Sequence, residues 1–251
     1  MRIAIMSAMS EEIDMLLQEL GPDAEMHSRG MRDYYVGELA GHEVVLVFSR
    51  WGKVAAAATA THLITEFGVK RLLFSGAAGA LAPDLKVGDI VVGTELLQHD
   101  IDARPLFKEF ETPLLGLSRF PADPDLRRLL TRSAIDFVKE DLESSVPASV
   151  RARFGLEAPS IRQGVIVSGD RFISSHADSQ SLRDRIPDAL CVEMEGAAVA
   201  QTCFEYGVDF AIMRVISDSA DDTAHIDFVT FIDEVARNYA HGVMLRALAE
   251  L

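Results

Sequence analysis

The chain has 251 residues, enough for one large α/β core or two smaller ones. Its 24 Lys and Arg stand against 39 Asp and Glu, a formal charge of −15. That excess repels nucleic acid, anionic membrane surfaces and polyanionic substrates, and excludes them as expected partners.

In chain order, short apolar runs alternate with amphipathic stretches, the pattern of an α/β fold with a largely parallel sheet. The opening Met1-Arg2-Ile3-Ala4-Ile5-Met6 lacks the long apolar stretch of a signal peptide and predicts a strand over 3–6. A helix is expected over 11–20, ended by Gly21-Pro22, then a hairpin-like pair over 34–38 and 44–48 around Ala40-Gly41-His42. An Ala-rich helix over 53–67 stops at Gly68, and a buried strand over 71–74 runs into Ser75-Gly76-Ala77-Ala78-Gly79. Another strand is predicted over 87–92. The segment 99–123, with Pro105, Pro113 and Pro121, has no clear period; so long a loop is functional or disordered more often than not. Helix resumes over 125–142, and 143–159 favours neither state. Strands follow over 164–167 and 210–215, with helices near Leu182, near Ala197 and over 231–251. There is no repeat, linker or boundary, so 1–251 reads as one domain. No apolar run reaches membrane-spanning length, and Cys191 and Cys203 read as reduced core residues, so a cytoplasmic protein is expected.

The chemistry concentrates where strands end. In Val192-Glu193-Met194-Glu195-Gly196, two acids flank a methionine as an apolar strand turns into a small-residue helix. A helix N-terminus favours negative charge, which accounts for one glutamate but not for the second, nor for the Met between them. Ligands of open α/β sheets bind at such strand ends, and two carboxylates beside a soft side chain suit a sugar. In Ser7-Ala8-Met9-Ser10-Glu11-Glu12, Ser10 reads as an N-cap with Glu12 in the first turn. Glu12 reads either as a surface acid facing the helix dipole or as a general base that activates water. The turn lacks the Gly and the Lys or Arg of a phosphate loop. The small-residue turn 75–80 gives a flat ring access to the backbone but lacks the dinucleotide fingerprint. Phe172, in Ser168-Gly169-Asp170-Arg171-Phe172-Ile173, can stack on a heterocycle, although by itself it reads as core. Asp218 sits at the end of the 210–215 strand, whereas Asp221 and Asp222 read as helix-capping acids. His99-Asp100-Ile101-Asp102 has no second His or Cys at ligand spacing, so His99 reads as structural and no metal is expected.

Six blocks occur in order: Ala8-Met9-Ser10-Glu11-Glu12, Gly52-Lys53-Val54-Ala55-Ala56-Ala57, Leu85-Lys86-Val87-Gly88-Asp89-Ile90-Val91-Val92, Ser168-Gly169-Asp170, Val192-Glu193-Met194-Glu195 and Ile216-Ser217-Asp218. Together they resemble the 5′-methylthioadenosine/S-adenosylhomocysteine nucleosidase family of the nucleoside phosphorylase superfamily. The resemblance implies a single-domain, three-layer α/β fold with a central mixed β-sheet flanked by helices, and a homodimer. It implies hydrolysis of the N-glycosidic bond of adenine nucleosides to adenine and a 5-substituted ribose, with neither cofactor nor metal. By the same resemblance Glu12 is the base for the attacking water, and Asp218 meets N7 and the 6-amino group. Glu195 binds the ribose 2′- and 3′-hydroxyls, with Met194 against the sugar and Glu193 and Ser217 beside them in the substrate-binding set. Phe172 stacks on adenine, and the Ile173 backbone reads the purine edge. Ala77 stands where the family has a serine, so that side-chain hydrogen bond is missing or comes from Ser75. Trp51 stands where the family has a small aliphatic residue. Phe228, and Phe107 or Leu106 with Pro113, are expected to wall the 5′-substituent pocket, part of it from the partner subunit. Two other classes stay open. A phosphorolytic purine nucleoside phosphorylase would need a phosphate cradle, for which Arg50 offers one cation. A non-catalytic nucleoside-binding module has no need of Glu12, Glu195 and Asp218 together.

Overall fold

A computed structural model of the protein describes residues 1–220 and 228–251. The strands are β1 (Ile3–Ser7), β2 (Glu25–Arg29), β3 (Arg32–Leu39), β4 (His42–Phe48), β5 (Arg71–Phe74) and β6 (Ala77–Ala80). They continue with β7 (Ile90–Gln98), β8 (Phe120–Pro121), β9 (Ile161–Ser168), β10 (Ala189–Glu193) and β11 (Asp209–Asp218). The helices are α1 (Asp14–Leu20), α2 (Lys53–Thr65), α3 (Pro124–Asp136), α4 (Leu142–Ser145) and α5 (Ala148–Phe154). After them come α6 (His176–Arg185), α7 (Gly196–Tyr206), α8 (Phe228–Phe231) and α9 (Arg237–Ala249).

The strands form one mixed sheet in the order β2-β3-β4-β1-β5-β11-β6-β10-β9-β7-β8. β11 organises it. Its first residues run parallel to β5, Val215 to Asp218 run parallel to β6, and Met213 to Val215 pair antiparallel with β7. The additional β7 pairing curls β11, β6, β10, β9 and β7 into a closed ring. Such a strand has no polar face, and Phe210 to Ser217 are all buried, as expected for strands covered on both sides. Along β1 the side chains alternate between two cores. Ala4 and Met6 join Ala56, Ala60, Leu63, Ala197 and Val199 of α2 and α7, while Ile3 and Ile5 join Leu16, Leu130, Ala134, Val243 and Met244 of α1, α3 and α9. The α/β class, the mixed central sheet and its flanking helices are as expected.

Several local expectations need correction. α1 starts at Asp14, not Glu11, and Ser10 caps nothing with its side chain: its Oγ donates to Glu11, while its carbonyl accepts from the Ile13 and Asp14 amides. β7 begins at Ile90, because the Asp89 carboxylate accepts the Lys86 and Ser160 amides and turns residues 86–89. The turn 75–80 contains the strand β6, and 143–159 contains α4 and α5. The 125–142 helix loosens into a wider π turn at Phe137–Asp141, where a Cβ on Gly242 would stand 2.3 Å from the Phe137 ring. Cys191 and Cys203 are unpaired and buried. Among the described residues no helix is long and apolar enough to cross a membrane. The capping read for Asp221 and Asp222 lies outside the described residues.

Candidate active site

Seven segments meet around one cleft with about 610 Å³ of open space. They are the turn after β1, the residues between β4 and α2, the start of β6, the loop after β9, the end of β10, the end of β11 and the start of α8. Glu12, Trp51, Ala77, Phe172, Ile173, Glu193, Met194, Glu195, Ser217, Asp218 and Phe228 all line it. Phe107 and Pro113 do not: in this chain the 99–123 segment leaves them away from the cleft.

Glu12 is fully buried. The turn that displaces it from α1 folds its Oε2 back onto the Ala8 and Met9 amides, each at 3.1 Å, and leaves Oε1 with no hydrogen-bond partner. Burial raises its pKa to about 7, against the opposing pull of Arg214 and of backbone amides. The reading of Glu12 as a surface acid is therefore wrong.

The two glutamates of the β10–α7 turn do different work. Glu193 Oε2 accepts from Arg214 Nη2 at 2.6 Å and Nε at 3.1 Å, and both its oxygens take the Gly196 amide. Ser168 Oγ also donates to Glu193 and in turn accepts the Ala197 amide at 2.7 Å. Glu193 thus faces the cleft with its oxygens already engaged, holding the start of α7 where amides lack helical partners. It is the glutamate that a helix N-terminus explains. Glu195 is the other. Its Oε1 accepts the Gly52 amide at 2.8 Å, and burial with the nearby Glu193 charge raises its pKa.

Asp218 ends β11. Its Oδ2 accepts from Ser217 Oγ at 2.6 Å and its Oδ1 from the Ala220 amide at 2.8 Å, which fixes the carboxylate plane. Gly79 makes room for it, since a Cβ there would stand 2.9 Å from Asp218 Oδ1. An aromatic wall completes the cleft: Phe228 meets Trp51 edge-on at 6.2 Å between centroids and Phe172 at 5.9 Å. Half of Trp51 is exposed, at 53%. His99 is buried beside Gly169, with its pKa lowered by burial, in keeping with a structural role. Among the described residues no group of His, Cys, Asp or Glu is arranged to hold a metal ion.

Arg214 escaped the sequence reading, although an arginine inside Phe210-Ala211-Ile212-Met213-Arg214-Val215-Ile216 is itself a signal. A charge in a doubly covered strand must be paired. It is 1% exposed, bound to Glu193 and stacked 4.1 Å over the Phe74 ring. Met9 and Arg171 also line the cleft without having been singled out.

The model of the phosphorylase superfamily matches residues 2–249. A 5′-methylthioadenosine/S-adenosylhomocysteine nucleosidase of Staphylococcus carnosus is 35% identical over 98% of this chain and 100% of its own. The chain belongs to the methylthioadenosine/S-adenosylhomocysteine nucleosidase family of that superfamily. Another relative, the aminodeoxyfutalosine nucleosidase of Helicobacter pylori strain J99, is 35% identical over 95% of both chains. The Neisseria meningitidis nucleosidase, solved with methylthio-immucillin-A, superposes with a TM-score of 0.87 at 35% identity, covering 100% of this chain and 99% of that one. The family resemblance carried by the six sequence blocks is thereby borne out.

Proposed function

We propose that this nucleosidase-family protein, acting as a single domain over 1–251, hydrolyses the N-glycosidic bond of 5′-methylthioadenosine, S-adenosylhomocysteine and related adenine nucleosides. The products are adenine and a 5-substituted ribose. The observation that carries the reading is Glu12: a buried carboxylate at the cleft, one oxygen anchored by two amides and the other unpartnered. A pKa of about 7 suits a base that must take a proton from water near neutrality. Glycosidic cleavage passes through an oxocarbenium-like state, and carboxylates at Glu12 and Glu195 favour the developing positive charge. Glu195 takes the ribose hydroxyls, and Asp218 faces N7 and the 6-amino group so that the base leaves with its charge met. Phe172 stacks on adenine beside the Ile173 backbone, while Met194, Trp51 and Phe228 flank the sugar and its 5′-substituent.

Phosphorolysis is the disfavoured alternative. The basic residues lining the cleft among those described are Arg171 and Arg214, paired with Asp178 and Glu193 respectively. Arg50 reaches the Met31 carbonyl instead. The test is adenine release with and without phosphate. Equal rates with free ribose product support hydrolysis; a phosphate requirement with ribose 1-phosphate as product moves the protein to the other class. The name of the Helicobacter relative makes aminodeoxyfutalosine a second substrate to run in the same assay.

The protein is further proposed to act as a homodimer in the cytoplasm. Leu106 and Leu114 are 83% and 91% exposed in one chain, on the segment that holds Phe107 and Pro113. A second copy covering that segment would bury this apolar surface and bring these residues to the 5′ end of its neighbour's cleft. Two unpaired cysteines accord with a reducing compartment.

A further inference from the structure

Behind the cleft, three loops are tied into a closed circuit that the reaction itself does not use. Asp100, just beyond β7, accepts from Lys53 Nζ at 2.5 Å with Oδ1 and from the Asp170 amide at 2.9 Å with Oδ2. Asp170, just beyond β9, accepts the Lys53 amide at 2.7 Å with Oδ1. Lys53 opens α2, whose own N-cap, Gly52, has no side chain to meet the first amides. Asp170 therefore caps α2 from a different part of the chain. The loops approach as closely as glycine allows. A Cβ on Gly169 would stand 2.4 Å from His99 Nε2, and one on Gly52, at φ +94°, 3.0 Å from Asp170 Oδ1.

The residue before Lys53 is Gly52, and its amide holds Glu195 Oε1. We infer that Asp170 is a positioning residue for sugar recognition: by fixing the Lys53 amide it fixes the Gly52 amide, and with it the Glu195 carboxylate that meets the ribose 2′-hydroxyl. This rests on the nucleosidase reading above. The physical reason is the cost of misplacement. Glu195 is buried next to Glu193, so its orientation depends on the donors around it. A Gly52 amide that drifts with a loosened α2 terminus leaves that carboxylate free to turn from the sugar. Asp100 completes the device. It grips both the Asp170 amide and the Lys53 ammonium, so the two loops cannot part together.

The experiment compares kcat/KM for adenosine and 2′-deoxyadenosine, and takes the ratio as the readout. Asp170→Ala should lower that ratio by about tenfold, mostly through a KM that rises for the ribose substrate alone. Asp170→Asn keeps an oxygen that accepts the Lys53 amide, and should hold the ratio within about twofold of wild type. In a Glu195→Gln background Asp170→Ala should change the ratio no further, because coupled residues are not additive. Asp100→Ala, which releases Asp170 from the opposite side, should lower the ratio in the same direction. Equal losses on both nucleosides in Asp170→Ala, or an unchanged ratio in Asp100→Ala, would overturn the inference. If the wild-type protein releases adenine from neither nucleoside, the nucleosidase reading falls by itself. The same variants then decide the role of Asp170 through the ratio of the two dissociation constants, measured by calorimetry.

Discussion

Glu12 places catalysis and stability in opposition within one residue. As a base it must be ionised, so kcat/KM should rise with pH through about 7, where its pKa lies. Stability runs the other way. The folded pKa is raised above 4.5, so the folded chain binds more protons than the unfolded one between 4.5 and about 7. The contribution of Glu12 is fully present below 4.5 and is lost as pH rises through 7. Glu12→Gln, which keeps the shape and removes the charge, should lower kcat by about a hundredfold or more. At about pH 8 it should also unfold at higher urea than wild type, by roughly 1–3 kcal/mol, with the gap closing at about pH 4. Urea melts at the two pH values, alongside the pH–rate profile, check both halves; an equally stable variant at both would remove the buried charge from the account. At this scale residue type marked carboxylates at the strand ends but left Glu12 open between a surface acid and a base, and the roles given to Glu12, Glu195 and Asp218 rested on the family resemblance. Residue type alone could not separate Glu193 from Glu195, because the physical difference is Arg214, which lies on another strand and reaches Glu193 only through the sheet.

Two glycines separate the needs of an element from those of the site. Gly164 lies inside β9, and a Cβ there would meet Leu190 at 2.4 Å, within the sheet and its packing. Gly79 lies in β6, where the same atom would meet Asp218 and Ala220, both at 2.9 Å. Gly164→Ala should therefore cost about 1–3 kcal/mol in denaturant unfolding while activity per folded molecule survives. Gly79→Ala should cost a similar amount, because it also meets the buried Ala220, and should in addition lose about tenfold or more in kcat/KM per folded molecule, since it displaces the Asp218 carboxylate. Both measurements on both variants decide it; a matching loss of activity in the two would break the distinction. Elements with a strong apolar run, such as β1, β4, β5 and β11, were legible in the sequence. β2 was not, because four of its five residues are exposed and no apolar alternation marks an edge strand in water. β6 was not either: its Ala77-Ala78-Gly79-Ala80 has little strand propensity and is held by partners on β10 and β11.

At the level of the whole molecule, assembly is the property to measure. Sedimentation should give a dimer. Leu106→Glu with Leu114→Glu should shift it toward monomer and raise KM for 5′-substituted nucleosides more than for adenosine, by about tenfold. A monomeric wild type, or a dissociated variant with unchanged KM, would remove the second copy from the site. The segment concerned was unreadable from periodicity because its residues answer to turns and surfaces, not to one repeating face. The cleft also carries the chain's single tryptophan, Trp51, half-exposed and edge-on to Phe228 at the mouth. Its intrinsic fluorescence is therefore a native optical probe of that mouth, with no second indole to obscure the signal. Ligands that cover the ring should quench or blue-shift the emission as water leaves it, which allows occupancy to be titrated label-free, even in variants such as Glu12→Gln in which turnover is suppressed.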